Sequence, residues 1–224
     1  MTENWTRSYA EAPEIFDAFR CAEDPEGRVL RRLEALAGIS GRDVVEIGSG
    51  TGRTAATLAR RARRYVAIEP EPAMLRIARS AAPAAFHVRA RGEALPIPTG
   101  SVDRVLATWF LANARRAVQR AAEAEAARVL RPGGSLWAVE NHWDDEFQSL
   151  RGRAGPFETA EVRPLIEEAG FEIVERVSTT IRFASVTEAR RVLGWLIGVD
   201  RVPGAVLGHD VLILRRGPTQ AGRE

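Results

Sequence analysis

The sequence predicts an α/β fold: a mostly parallel sheet with helices on both faces. Three observations carry that expectation. Short β-branched and apolar runs alternate with helical runs from residue 43 onward. The first strand-to-helix corner, within VVEIGSGTGRTA at 44–55, is rich in glycine. After residue 170 the alternation breaks, with a long strand-like run at 171–183 and a last strand at 209–215.

Each element has a local reason. Asp24-Pro25 reads as an N-cap followed by a first-turn proline. Val29, Leu30, Leu33 and Leu36 then recur at helical spacing, and Gly38 reads as the stop. Strands are expected at 43–47, 65–68, 85–89, 103–108 and 135–140. Helices are expected at 51–63, at 72–81 (Met74, Leu75 and Ala78 on one face) and at 115–130, the last ended by RPGG at 131–134. A helix at 161–169 starts from Thr159 or Ala160 and stops at Gly170, and another covers 187–196. Neither a repeat nor a linker interrupts the chain. It is therefore read as one domain over 1–224, with 1–40 as an N-terminal helical cap and 41–224 as the core.

Composition narrows the classes. The chain has 224 residues, 45% apolar and 28% charged, which suits a globular protein with a buried core. No apolar run reaches the ~18–20 residues of a membrane span. The opening MTENWTRSYAEAPE lacks the pattern of a secretory leader, so the cytoplasm is the expected compartment. Cys21 is alone, so no disulfide joins two parts of the chain. All 32 basic side chains are arginine, which excludes Schiff-base chemistry and a P-loop lysine. A net charge of +2 with scattered arginines gives no nucleic-acid footprint. RRARR at 60–64 reads as a solvated helix end.

The glycine corner raises the question of function. A strand–loop–helix unit aims the first N–H groups of its helix into the crevice past the strand end. Gly48, Gly50 and Gly52 would let a ligand touch bare backbone there. Glu69 ends the second strand, and its two oxygens match the vicinal hydroxyls of a ribose. The spacing G-S-G-T-G differs from the G-x-G-x-x-G that places a helix start on a pyrophosphate. An adenosine with a zwitterionic tail fits better, with Glu46 as an acceptor for the tail's amino group and backbone N–H groups for its carboxylate. S-adenosylmethionine is therefore favoured over NAD.

At this point the sequence resembles the class I S-adenosylmethionine-dependent methyltransferases, in particular their small type 11 branch. VVEIGSGTGR is similar to the family's first motif and VAIEP (66–70) to its second. EALPIPTGSVDRVLATW (93–109) is similar to the third region and fourth strand, and ARVLRPGGSLWAVE (127–140) to the helix–turn–strand that follows. The resemblance implies a Rossmann-like doubly wound sheet of seven strands, mostly parallel, with an antiparallel last strand inserted beside the fifth. It implies S-adenosyl-L-methionine as cofactor and S-adenosyl-L-homocysteine as product. It also implies a cofactor set of Glu46, Gly48, Ser49, Gly50, Gly52, Glu69, Pro70, Met74, Arg91, Gly92, Glu93, Thr108 and Trp109. One departure stands out: Arg91-Gly92 occupies the place of the family's acid-small pair, and arginine cannot accept a hydrogen bond from an adenine amino group. Backbone near Gly92, Glu93 or apolar walls would have to serve instead, or Arg91 turns outward.

The acceptor side is expected at the ends of the fourth and fifth strands. Trp109 and Asn113 follow the fourth strand, Asn113 also reading as a helix cap. His142 and Trp143 follow the fifth, with His142 the candidate general base. Asp144, Asp145 and Glu146 read as a solvated loop, and no metal site is expected. Trp5, Tyr9 and Phe16 in the N-terminal segment are candidates for a lid. His87 and His209 read as structural. The expected activity is methyl transfer to O or N of a small molecule, by a monomer or homodimer. A non-catalytic cofactor-binding module, an NAD-dependent oxidoreductase and an enzyme using the same cofactor without methylating are the alternatives.

Overall fold

In the computed structural model, residues 3–153 and 162–217 are described, with backbone alone at 3–6 and 152–153. Among these residues seven strands form one sheet. They are β1 (Asp43–Ile47), β2 (Arg64–Ile68), β3 (Phe86–Val88), β4 (Val102–Thr108), β5 (Leu130–Asn141), β6 (Glu172–Arg182) and β7 (Val206–Arg216). Their spatial order is β3-β2-β1-β4-β5-β7-β6. The first five run parallel, with Val45 beside Val66 on one side and Val105 on the other. β7 runs antiparallel to both β5 and β6, which accounts for the broken rhythm after residue 170.

All five residues of β1 are buried, because a central parallel strand is covered on both faces. Alternate side chains then feed two cores. Val44, Tyr65, Leu106, Trp137 and Ile213 pack with Val29, Leu30 and Leu33 of α3 (Arg28–Ala37) and with Leu58 of α4 (Arg53–Leu58). On the other face, Val45, Ile68, Val105 and Leu212 meet Ala122, Ala126 and Val129 of α6 (Arg116–Val129), and Leu165 of α8 (Val162–Glu167). A third cluster ties α2 (Pro13–Ala22), α7 (Glu146–Arg153) and α9 (Val186–Ile197) to β6 and β7 through Phe19, Phe147, Leu193, Ile181 and Leu207. Each such side chain, fully buried, contributes about 1.5–3 kcal/mol. α1 (Glu3–Glu11) and α5 (Pro72–Ala81) complete the described helices. None is long and apolar enough to cross a membrane.

Several local expectations are corrected. Asp24-Pro25 does not start a helix. Asp24 has φ 51°, and α3 begins at Arg28 after Gly27. The Asp24 carboxylate still caps that helix from outside, accepting from Arg28 N (2.9 Å) and Val29 N (3.0 Å). The helix after the glycine corner is six residues long instead of thirteen. RPGG follows the end of α6, whose C-cap is Leu130, as expected, and it also forms the start of β5. α7 was not expected, because 146–153 has little amphipathic pattern. The start of α8 expected at Thr159 or Ala160 lies outside the described residues. RRARR is not simply solvated: Arg63 and Arg64 both hold Asp43 at the base of β1, and Arg61 pairs with Glu34 at 3.3 Å.

Gly52 shows why one glycine of the corner is needed. Its φ is +87°, and an added Cβ would lie 2.9 Å from the Ala78 Cα of α5. Gly100 has φ +61° but open space around it. Left-handed strain alone costs ~1–2 kcal/mol, and overpacking adds ~1–3. Urea unfolding should therefore show Gly52→Ala losing about 2–4 kcal/mol and Gly100→Ala about 1–2. Equal losses would show that the α4–α5 contact carries no weight.

Candidate active site

A cavity of about 520 Å3 lies beyond the carboxyl ends of β1, β2 and β4, roofed by α1 and α2. That size is within the range of small-molecule sites. Its floor is the glycine corner, one wall is Glu69 to Met74, another is the segment after β4, and the roof brings Tyr9, Phe16 and Arg20.

Three backbone donors of the corner are already committed. Gly48 N and Ser49 N both bond Ile68 O (2.9 and 3.0 Å), and Gly50 N bonds the Glu69 carboxylate at Oε2 (2.9 Å). Glycine at 48 makes room for protein: a Cβ there would stand 2.7 Å from the Phe110 ring. Side chains also offer donors at this end. Ser49 Oγ and Arg53 Nη1 are buried without a hydrogen-bond partner, and both residues line the cavity. Buried polar atoms in that condition are costly unless a ligand satisfies them.

Glu69 is buried, and it accepts from Glu71 N at Oε1 (2.9 Å) as well as from Gly50 N. Each oxygen has a further lone pair for a hydroxyl. Burial raises its pKa, with the two backbone bonds opposing.

Glu46 does not reach the cavity, which corrects its role as a tail acceptor. It is fully buried beneath Thr108, accepting from Thr108 Oγ1 (3.0 Å) and Tyr65 Oη (2.9 Å). Burial pushes its pKa up to about 7. Thr54 Oγ1 meets Thr108 Oγ1 at 3.0 Å, and these two hydroxyls form the surface that the cavity sees.

Trp109 has φ 53°, a strained value for a bulky residue. Three bonds hold it there: its N to Val139 O (2.6 Å), its Nε1 to Asn141 Oδ1 (2.6 Å), and Asn113 Nδ2 to its carbonyl (3.1 Å). Asn113 therefore braces Trp109 and does not cap α6, whose N-cap is Arg115. The Arg20 guanidinium lies over the Trp109 ring at 3.9 Å, with that of Arg53 at 5.8 Å. Burial, and then Arg53, lowers the Arg20 pKa to about 9.

Of the residues read from the sequence, Tyr9, Phe16, Gly48, Ser49, Gly50, Glu69, Pro70, Met74, Arg91, Thr108, Trp109 and Asn113 come together around this cavity. Tyr9 packs edge-on to Phe16, ring centroids 5.0 Å apart. Gly52 packs under α5, and Gly92 is pressed against Ile47 and Phe110. Arg91 turns outward at the rim, 76% exposed, and pairs loosely with Glu93 at 3.8 Å. Glu93 is not among the lining residues. The side chain of Trp5 lies outside the described residues. His142 is a correction: it is buried away from the cavity, stacked on Trp143 at 4.2 Å, with its Nδ1 accepting from Asp144 N (3.1 Å). Trp143 is half-exposed beside Arg163 and does not line the cavity either. Asp145 is no solvated residue, since it bonds His209 Nδ1 at 2.9 Å and caps α7 through Gln148 N at 2.7 Å. Sequence reasoning missed Arg20, Arg53 and Phe110. Arg20 stands four residues after Phe16, on the same helix face, and that spacing was the available signal.

Glu140 at the end of β5 braces the segment after β4, accepting from Ala112 N at 3.2 Å, while its Oε2 has no partner. Burial holds its pKa up to about 8. An exposed glutamate ionises near 4.3, so between about 4.3 and 8 the unfolded chain binds fewer protons and stability falls as pH rises. Glu140→Gln removes that ionisation. Urea unfolding at several pH values should show the variant gaining on the wild type by on the order of 4 kcal/mol between pH ~5 and ~9. A constant difference across that range would mean Glu140 is ionised throughout.

Comparison with known proteins agrees with this geometry. A profile described as a methyltransferase domain matches residues 45–138. An uncharacterised methyltransferase of Mycobacterium tuberculosis is 30% identical over 181 residues, covering 80% of this chain and 67% of that one. A demethylmenaquinone methyltransferase of Tropheryma whipplei is 34% identical over 143 residues, 58% of this chain and 59% of that one. Among solved structures, a possible histamine N-methyltransferase of Thermotoga maritima superposes with a TM-score of 0.62 at 20% identity, covering 97% of this chain and all of that one. With the strand order, the glycine corner and these relatives in agreement, the chain belongs to the class I S-adenosylmethionine-dependent methyltransferases.

Proposed function

We propose that the 520 Å3 cavity binds S-adenosylmethionine and that the protein methylates O or N of a small molecule placed between Trp109 and the α1–α2 roof. The observation that carries the cofactor reading is Glu69. Two backbone N–H groups fix both its oxygens at the end of β2, leaving their outer lone pairs toward the cavity. A ribose diol is the ligand that such a pair suits.

The tail of the cofactor falls to Ser49 Oγ and Arg53 Nη1, the two unsatisfied groups at the corner. An anion there restores the bonds both atoms lack, so the methionine carboxylate is read at this position. Met74, Pro70 and Phe110 supply apolar walls on the adenosine side. With Arg91 turned outward, adenine is held by these walls and not by an acidic side chain at 91.

The sulfonium supplies an activated methyl, so the residues need only orient the acceptor in line and exclude water. Trp109, Asn113 and Tyr9 border the place where an acceptor would lie. Burial raises the Tyr9 pKa, so its phenol stays protonated and acts as a donor, not as a base.

Calorimetry with S-adenosylhomocysteine tests the reading. Glu69→Ala should weaken binding by about 1–3 kcal/mol, the cost of losing hydrogen bonds to a charged group. An unchanged affinity would remove the ribose role. Arg53→Gln should weaken S-adenosylhomocysteine about tenfold but leave 5′-methylthioadenosine, which lacks the carboxylate, almost unaffected. Parallel losses for both ligands would place Arg53 elsewhere than on the tail.

A further inference from the structure

We propose that Arg20 receives a carboxylate of the methyl acceptor, so that the acceptor class is a small organic acid. The inference rests on the reading of the cavity as a cofactor and acceptor site, and adds the chemistry of the second ligand.

Arg20 sits at the acceptor end. Its guanidinium lies on Trp109 at 3.9 Å, and Trp109 follows β4 and is bonded to Asn141 at the end of β5. The ribose ligand Glu69 and the unsatisfied Ser49 and Arg53 stand at the ends of β2 and β1 instead. Arg20 thus meets the cavity at Trp109, after β4.

A buried chain of charged groups fixes it. The Nη1 of Arg20 bonds Glu23 Oε2. Glu23 Oε1 faces His209 Nε2 (3.1 Å), and His209 Nδ1 faces Asp145 Oδ2 (2.9 Å). Glu23 and His209 are buried, and Asp145 is further committed to Asp210 N (2.9 Å) and Gln148 N. The histidine ring lies between the two carboxylates, and the cavity end of the chain is the Arg20 guanidinium. Arg20 has five N–H donors, and among the described residues one of its nitrogens is bonded, to Glu23. A guanidinium set by its neighbours before the ligand arrives is suited to a planar carboxylate, which it can hold through two parallel bonds.

The charge balance points the same way. Arg53 also borders the Trp109 ring, and its partner Asp24 is occupied by Arg28 N, Val29 N and Thr179 Oγ1. The acidic residues lining the cavity, Glu69 and Glu71, lie on its adenosine wall. With Arg53 assigned to the cofactor tail, Arg20 is the cation left beside Trp109, and an anionic acceptor offsets it.

The test uses the full chain saturated with S-adenosylhomocysteine. Carboxylic acids and their amides are titrated in pairs: benzoate with benzamide, phenylacetate with phenylacetamide, hexanoate with hexanamide. Binding is followed by ligand-observed NMR and tryptophan fluorescence. At least one acid should bind about tenfold or more tighter than its amide. Arg20→Gln should reduce that preference to about twofold or less, Arg20→Lys should retain part of it, and both should keep S-adenosylhomocysteine affinity within about threefold. The wild-type acid–amide comparison stands even where Arg20→Gln lowers stability by leaving Glu23 unpaired. Equal binding of acids and amides, or binding of none of the six, overturns the proposal. So does a tenfold loss of S-adenosylhomocysteine in Arg20→Gln with 5′-methylthioadenosine unaffected, which would place Arg20 on the cofactor tail. Failure of the wild type to bind S-adenosylhomocysteine, seen before any acid is added, overturns the cofactor reading itself, and this proposal with it.

Discussion

The buried carboxylate of Glu46 is the constraint under the whole site. It lies in the middle of the sheet and receives hydroxyls from Tyr65 of β2 and Thr108 of β4. Thr108 in turn meets Thr54 of α4. One side chain therefore sets the relative height of three strands and one helix at the point where the cavity opens. Its burial without an ion pair is unfavourable, and its pKa of about 7 shows how far the proton is retained. Two hydrogen-bond donors on fixed strands offset that cost and make the arrangement specific. Above this floor the glycine corner, Glu69 and Trp109 take their positions.

The roof is held differently. α2 reaches α7 through the contact of Phe19 with Phe147, and the sheet through the ionic chain from Arg20 by way of His209 of β7. The ionic chain is the more demanding part, since every member is buried and each depends on the next. It joins residues that are far apart in sequence, from 20 and 23 to 145 and 209. A cap built this way is registered against β7 and α7, on the opposite half of the sheet from β1 and β2. The Arg20 end of the cavity is consequently tied to residues late in the chain, although most of the lining comes from the first half.

The core of the fold was legible because its signals are local. Asp43–Ile47 and Pro72–Ala81 fall where their patterns put them, and the antiparallel arrangement of β7 is the one the family resemblance implies. The elements misread were those whose boundaries are set by distant contacts. Asp24 carries the side chain of a cap but is tied down by Thr179, 155 positions away. The helix after the corner is shortened because Gly41 and Arg63 bond back across its end to Arg61 and Arg42.

The sequence by itself determined the sheet, the glycine corner and the family, because alternating apolar runs, the G-S-G-T-G spacing and the acid after β2 act over a few residues each. It could not decide which side of a strand a polar residue would use, or what would fill the space a glycine leaves. Tertiary packing put Glu46 under Thr108, filled the space beside Gly48 with Phe110, turned His142 away and brought Arg20 over Trp109. Burial and pairing of charges are properties of the assembled interior, where groups separated by up to 186 positions meet and the local dielectric sets their cost.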